Sequence, residues 1–110
     1  MLVRDFLEGD PITISLGTKV DKAESIMKEN NFQIIFVVNE KGVLEGFLTF
    51  SAIKGAESER KIDNFLARST LFTRIDQPID KAVSLIKEHN LMVLPVVDSE
   101  KRFVNVLTPG

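Results

Sequence analysis

Val20–Asn39 reads VDKAESIMKENNFQIIFVVN, and Ile79–Asp98 reads IDKAVSLIKEHNLMVLPVVD, the same text 59 residues later. The offset is constant. It carries Asp21 to Asp80, Lys22 to Lys81, Ala23 to Ala82, Ser25 to Ser84, Lys28 to Lys87, Glu29 to Glu88, Asn31 to Asn90 and Val37-Val38 to Val96-Val97 without a gap. Outward it pairs Phe6-Leu7 with Phe65-Leu66 and Leu48-Thr49 with Leu107-Thr108, so the repeat takes in nearly the whole chain. Self-similarity at a fixed period means two copies of one supersecondary unit.

Inside each copy the pattern changes period. Val20, Ala23, Ile26 and Met27 form one apolar stripe with Lys22, Glu24, Lys28 and Glu29 opposite, which predicts an amphipathic helix over Val20–Asn30 ended by Asn31. Thr18 is the candidate N-cap, and Asp21 sits in the first turn, where a carboxylate interacts well with the helix dipole. In the second copy Pro78 opens a helix over Ile79–His89, at a position where its missing N–H costs nothing. Phe32–Val38 is a continuous apolar run, too short for another helix, and Asn39-Glu40-Lys41-Gly42 turns it into a second strand, Val43–Thr49. Around this core lie a helical turn at Leu2–Leu7, a short strand at Ile12–Ser15 and a short helix at Ser51–Ala56, with Glu57–Lys61 as a charged linker. The second copy repeats the order with a turn at Ile62–Leu66 and strands at Leu71–Arg74, Leu91–Val97 and Phe103–Thr108. Pro95 interrupts its strand and predicts an edge or a bulge. By symmetry with Ser51–Ala56 a helix should follow Pro109-Gly110, so the natural chain is expected to continue. The expected units are 1–56 and 57–110, the second lacking its final helix.

Composition excludes several classes of function. With 44% apolar and 27% charged residues the chain is an ordinary globular one. A unit near 60 residues buries only roughly 60% of its unfolded surface, so neither copy is expected to be stable alone. A net charge of −2 gives no basic stripe for a phosphate backbone, which argues against nucleic acid as a partner. No apolar run approaches the roughly 18 residues of a membrane helix, and the opening residues lack the shape of a signal peptide. The absence of cysteine removes disulfides and thiolate chemistry and fits a cytoplasmic setting.

Two motifs then carry a resemblance. The strand LPVVD at Leu94–Asp98 has its counterpart in IFVVN at Ile35–Asn39, and GFLTFSAI at Gly46–Ile53 has its counterpart in NVLTPG at Asn105–Gly110. A tandem βαββα chain with these motifs resembles the CBS domain pair, named for the regulatory region of cystathionine beta-synthase. The resemblance implies an α+β fold of two units packed as a pseudo-twofold pair, acting as a regulatory module. No cofactor is required; the implied ligand is an adenosine compound, an adenine nucleotide (AMP, ADP, ATP) or S-adenosylmethionine. It also implies a homodimer and an effector domain placed after Gly110.

The resemblance further implies roles for single residues. Thr49 and Thr108 match the hydroxyl that faces phosphate. The Asp that takes the ribose hydroxyls is replaced by Ala52 in the first copy, and in the second its place falls after Gly110. Loss of one charge-assisted bond is worth roughly 1.5–3 kcal/mol, so the second copy is the better site, with Thr70, Leu71, Leu94, Pro95 and Val96 beside Thr108. Phe36 stands where the second copy has Pro95 and would fill the first cleft.

Plainer readings stand beside these. Thr49 and Thr108 would also serve as ordinary helix caps. His89 suits the carbonyls at a helix end, and Asp21-Lys22 with Asp80-Lys81 suit the first turns of two equivalent helices. Phe36, Phe50 and Phe72 are the aromatic neighbours available to a base, and Arg68, Arg74 and Arg102 the cations available to phosphate. The alternative to ligand sensing is a degenerate pair serving as a dimerisation or interaction scaffold. Catalysis is disfavoured, because one His, no Cys and no convergent nucleophile and base leave no evident machinery.

Overall fold

The structure, a computed structural model, describes residues 1–109. Gly110, the last residue of the second motif, lies outside the described residues. The elements in chain order are β1 (Ile14–Ser15), α1 (Val20–Asn30), β2 (Ile34–Val38), β3 (Leu44–Thr49), α2 (Phe50–Ile53), β4 (Thr73–Arg74), α3 (Ile79–His89), β5 (Leu94–Val97) and β6 (Phe103–Leu107), with 3-10 turns at Val3–Phe6 and Ile62–Asn64. They form two three-stranded sheets, ordered β1-β2-β3 and β4-β5-β6. In each, the outer short strand is parallel to the central one and the hairpin partner antiparallel, so the architecture is α+β.

Both long helices have the bounds that their apolar stripes predict. Asn31 at φ 56° and Asn90 at φ 51° end them in the left-handed conformation, which Asn tolerates better than most residues. The N-cap expectation needs correction. Thr18 is not the cap; its hydroxyl donates to the Ser15 carbonyl at 2.7 Å, and Lys19 occupies the cap position with no side-chain bond. The strands are shorter than the apolar runs because the first residues of each run close the preceding helix: Phe32 N–H donates to Met27 O and Leu91 N–H to Ile86 O.

Pro95 also differs from expectation. It lies on β5, the central strand, and the irregularity falls between Val96 and Val97. The strand tolerates it because β4 pairs only with Val96 and Val97, leaving Pro95 flanked by β6 alone through Val106.

The compact units do not follow the two sequence copies. The first unit is Ile12–Thr70; the second combines Met1–Pro11 with Leu71 onward. Relative to the sequence copies 1–56 and 57–110, the compact units differ by an exchange of opening segments. Val3 N–H donates to Gln77 O at 2.9 Å and Ile79 N–H to Met1 O at 2.9 Å. The same bonds recur 59 residues on, where Ile62 N–H donates to Thr18 O at 2.8 Å and Val20 N–H to Arg60 O at 2.8 Å. Burial drives the exchange, since Val3 and Ile62 are both fully buried and each completes the core of the unit it joins.

The first unit's core is Ile14, Val20, Ala23, Met27, Ile35, Val37, Leu48, Ile53 and Ile62. The second unit's is smaller: Val3, Ala82, Leu94 and Val96, with Ile79, Ile86 and Leu107 only partly covered. The positions equivalent to those three, Val20, Met27 and Leu48, are sealed in the first unit, where α2 brings Ile53 into the core.

Candidate ligand cleft

The half-covered positions of the second unit line a cleft of about 480 Å³ formed by Phe6, Glu8, Ile79, Val83, Ile86 and Asn105 to Thr108. Its wall comes from the outer stripe of α3, its floor from β6, and its rim from the exchanged segment 6–8. The volume lies within the roughly 300–1,000 Å³ usual for small-molecule sites, and a mostly apolar lining with a few polar groups is their usual chemistry. Glu8 is the one charged residue of this lining.

Of the residues singled out from sequence, Thr108 is the one that lines this cleft, at its open end and exposed. Leu94 and Val96 are 0% exposed, and Pro95 is buried on the same strand. The Leu94 and Val96 side chains belong to the core of the second unit. Thr70 belongs to the first unit and Leu71 to the second, the former half-buried and the latter exposed.

Thr49 caps α2. Its Oγ1 accepts the Ala52 N–H at 3.3 Å as the N-cap of α2, which is the plain reading of this residue. Phe36 is 5% exposed and paired in register with Phe47, so an aromatic side chain fills the place where the second copy has Pro95.

The arginines separate by partner. Arg102 is committed to the β5–β6 turn, with Nε 2.8 Å from Asp98 Oδ2, and Arg68 Nη1 lies 3.5 Å from Glu45. The Arg102 and Glu100 N–H groups also donate to Asp98 Oδ1. The backbone bond from Arg102, with its guanidinium in support, holds the Asp98 carboxyl below its usual value. Arg74 instead borders a second, shallower cavity of about 330 Å³ with Phe72, Thr73, Gln77, Lys81 and Leu85. His89 is exposed in the last turn of α3, 4.0 Å from Glu88. Among the described residues no cluster of three or more His, Cys, Asp or Glu side chains is arranged to hold a metal, and no helix is long and apolar enough to cross a membrane.

Sequence reasoning missed Phe6, Glu8 and Asn105 as cleft residues. The signal for Asn105 was present as the one exchange of glycine for a larger residue within the repeated motif, Gly46 against Asn105.

Comparison with known proteins agrees with this architecture. The family model of the CBS domain matches residues 3–59 and 64–110. The chain is 29% identical over 109 residues to a protein of Methanocaldococcus jannaschii named L-aspartate semialdehyde sulfurtransferase, covering 97% of this chain and 21% of that one. It spans about a fifth of the length of the curated relatives it matches. Among solved structures, the CBS domain pair of protein MJ0100 in complex with 5′-methylthioadenosine and S-adenosyl-L-methionine is similar at 28% identity and TM-score 0.77, covering 98% of this chain and 89% of that one. A CBS domain pair/ACT domain protein of Thermotoga maritima shares the fold at TM-score 0.87 and 20% identity, with 98% and 89% covered.

Proposed function

The chain belongs to the CBS domain family, and from that premise we propose that it is a regulatory module whose second copy binds an adenosine compound, S-adenosylmethionine or 5′-methylthioadenosine before AMP or ATP. The observation that carries this reading is the 28%-identical pair solved with those two ligands. The two copies support it unequally. The first has Ala52 in place of the ribose Asp, and Phe36 buried where Pro95 stands in the second. The second keeps Pro95 and Thr108 and has the cleft beside it. One ligand per chain follows. Binding would act on an attached or partner effector domain only through different affinity for two arrangements of the module, with a homodimer as the assembly in which those arrangements differ.

Calorimetry with S-adenosylmethionine, 5′-methylthioadenosine, AMP and ATP tests the reading. One site per chain is expected, and ligand at 100 times its Kd should stabilise the fold by about 2.7 kcal/mol in a thermal-shift assay. Thr108→Val should weaken binding about tenfold, the loss of one hydrogen bond to a charged or strongly polar group. Unchanged affinity would remove Thr108 from the site. The second reading, a ligand-free scaffold, is favoured specifically by the filled first copy, and it predicts no thermal shift with any of the four compounds.

A further inference from the structure

We infer that Asn105 is the positioning residue that holds the segment around Glu8 away from β6, and that this one side chain keeps the adjacent side of the cleft open. The inference stands apart from the identity of any ligand. It rests on the same contact being built in two ways by the two copies.

In the first unit Phe47 N–H donates to Ala67 O at 2.9 Å and Ala67 N–H returns to Phe47 O at 2.8 Å, so the segment around Ala67 lies directly on β3 as an added strand. That approach needs glycine next door. Gly46 has φ +154°, and a Cβ there would stand 2.1 Å from Ala67 O and 2.8 Å from Leu66 Cδ1. No ordinary residue fits either the conformation or the space.

In the second unit Asn105 occupies the place of Gly46, Val106 that of Phe47 and Glu8 that of Ala67. Val106 N–H, the match of the donor that holds the first segment, donates instead to Asn105 Oδ1 at 2.7 Å. Asn105 Nδ2 donates to Glu8 O at 3.2 Å and Gly9 O at 3.4 Å. A single amide therefore sits as an extra layer between strand and segment. Its oxygen replaces the segment's carbonyl, and its NH₂ satisfies the carbonyls so displaced. Asn105 is 7% exposed and bonded through both its side-chain atoms, which makes it a fixed spacer and not a mobile one. The consequence is visible in the lining, where Phe6, Glu8, Asn105 and Val106 face one cleft instead of closing on one another. Residue type at this position thus decides whether the opening segment pairs directly with the last strand or meets it through a side-chain amide.

Amide hydrogen exchange on Asn105→Gly and Asn105→Ala tests the inference without any ligand. Glycine lets the segment close as in the first unit, so the Glu8 N–H should gain a strand partner on Val106 and exchange at least roughly fivefold more slowly. Alanine keeps the obstructing Cβ while removing the amide. Its Glu8 N–H should stay as fast as in the parent, and its Val106 N–H should exchange faster. Equal Glu8 protection in the two variants, or no gain in Asn105→Gly, would overturn the assignment.

Discussion

Gly46→Ala puts a methyl group where the structure has a carbonyl. The added Cβ would lie 2.1 Å from Ala67 O, a backbone atom that cannot swing aside as a side-chain tip can. Two responses are available, and both are costly. The backbone either keeps φ near +154°, a strain of about 1–3 kcal/mol for a residue with a Cβ, or gives up the paired Phe47–Ala67 bonds at about 0.5–1.5 kcal/mol each. Because the methyl collides even where the strain is accepted, the two add in part, and the loss should be about 2–4 kcal/mol. With a urea m-value of roughly 1–3 kcal/mol per M, the unfolding midpoint should fall by about 0.7–4 M. Hydrogen exchange at Phe47 and Ala67 would locate the damage. A midpoint within about 0.3 M of the parent, with both amides still protected, would refute the claim that this contact requires glycine.

Further outcomes follow from individual contacts. Thr49→Ala removes the acceptor for Ala52 N–H and should cost about 0.5–2 kcal/mol in urea unfolding, with Thr49→Ser close to the parent. Asp98 is held below its usual carboxyl value first by the Arg102 backbone N–H; its contribution is complete above pH 3.8 and is lost as pH falls through the lower folded value. Asp98→Asn should therefore narrow the stability difference between pH 5 and pH 2, as acid titration of both proteins by circular dichroism would show; an identical acid limb would count against the bond.

What was legible in the sequence was whatever repeats locally. The two long helices could be bounded to the residue because the stripe Val20, Ala23, Met27 ends at an Asn that suits the left-handed cap, and the second copy restates both signals. The strands were overextended because hydrophobicity does not distinguish Phe32 and Leu91, which close helices, from the ladder residues after them. The site was harder to read. Thr108 follows from its motif, but Glu8 meets Asn105 across 97 residues, and no local pattern announces a contact between an opening segment and the last strand. Leu94 and Val96 carried the right motif, yet an apolar residue on a central strand gives the same letter whether it faces a ligand or the core.

The exchange of opening segments also sets an order of events during synthesis. Val3 is fully buried among Ala82, Leu94 and Val96, and Val3 N–H pairs with Gln77, so Val3 has no seat until the residues from Gln77 to Val96 have been made. At roughly 5–20 residues per second, that leaves Val3 and Leu7 exposed on the nascent chain for about 4–20 s. The first unit, by contrast, is continuous from Ile12 to Thr70 and has all its core residues by the time Ile62 has emerged. The first unit can therefore consolidate while the segment around Val3 still waits for its partners, and the second unit gathers that segment in as it forms.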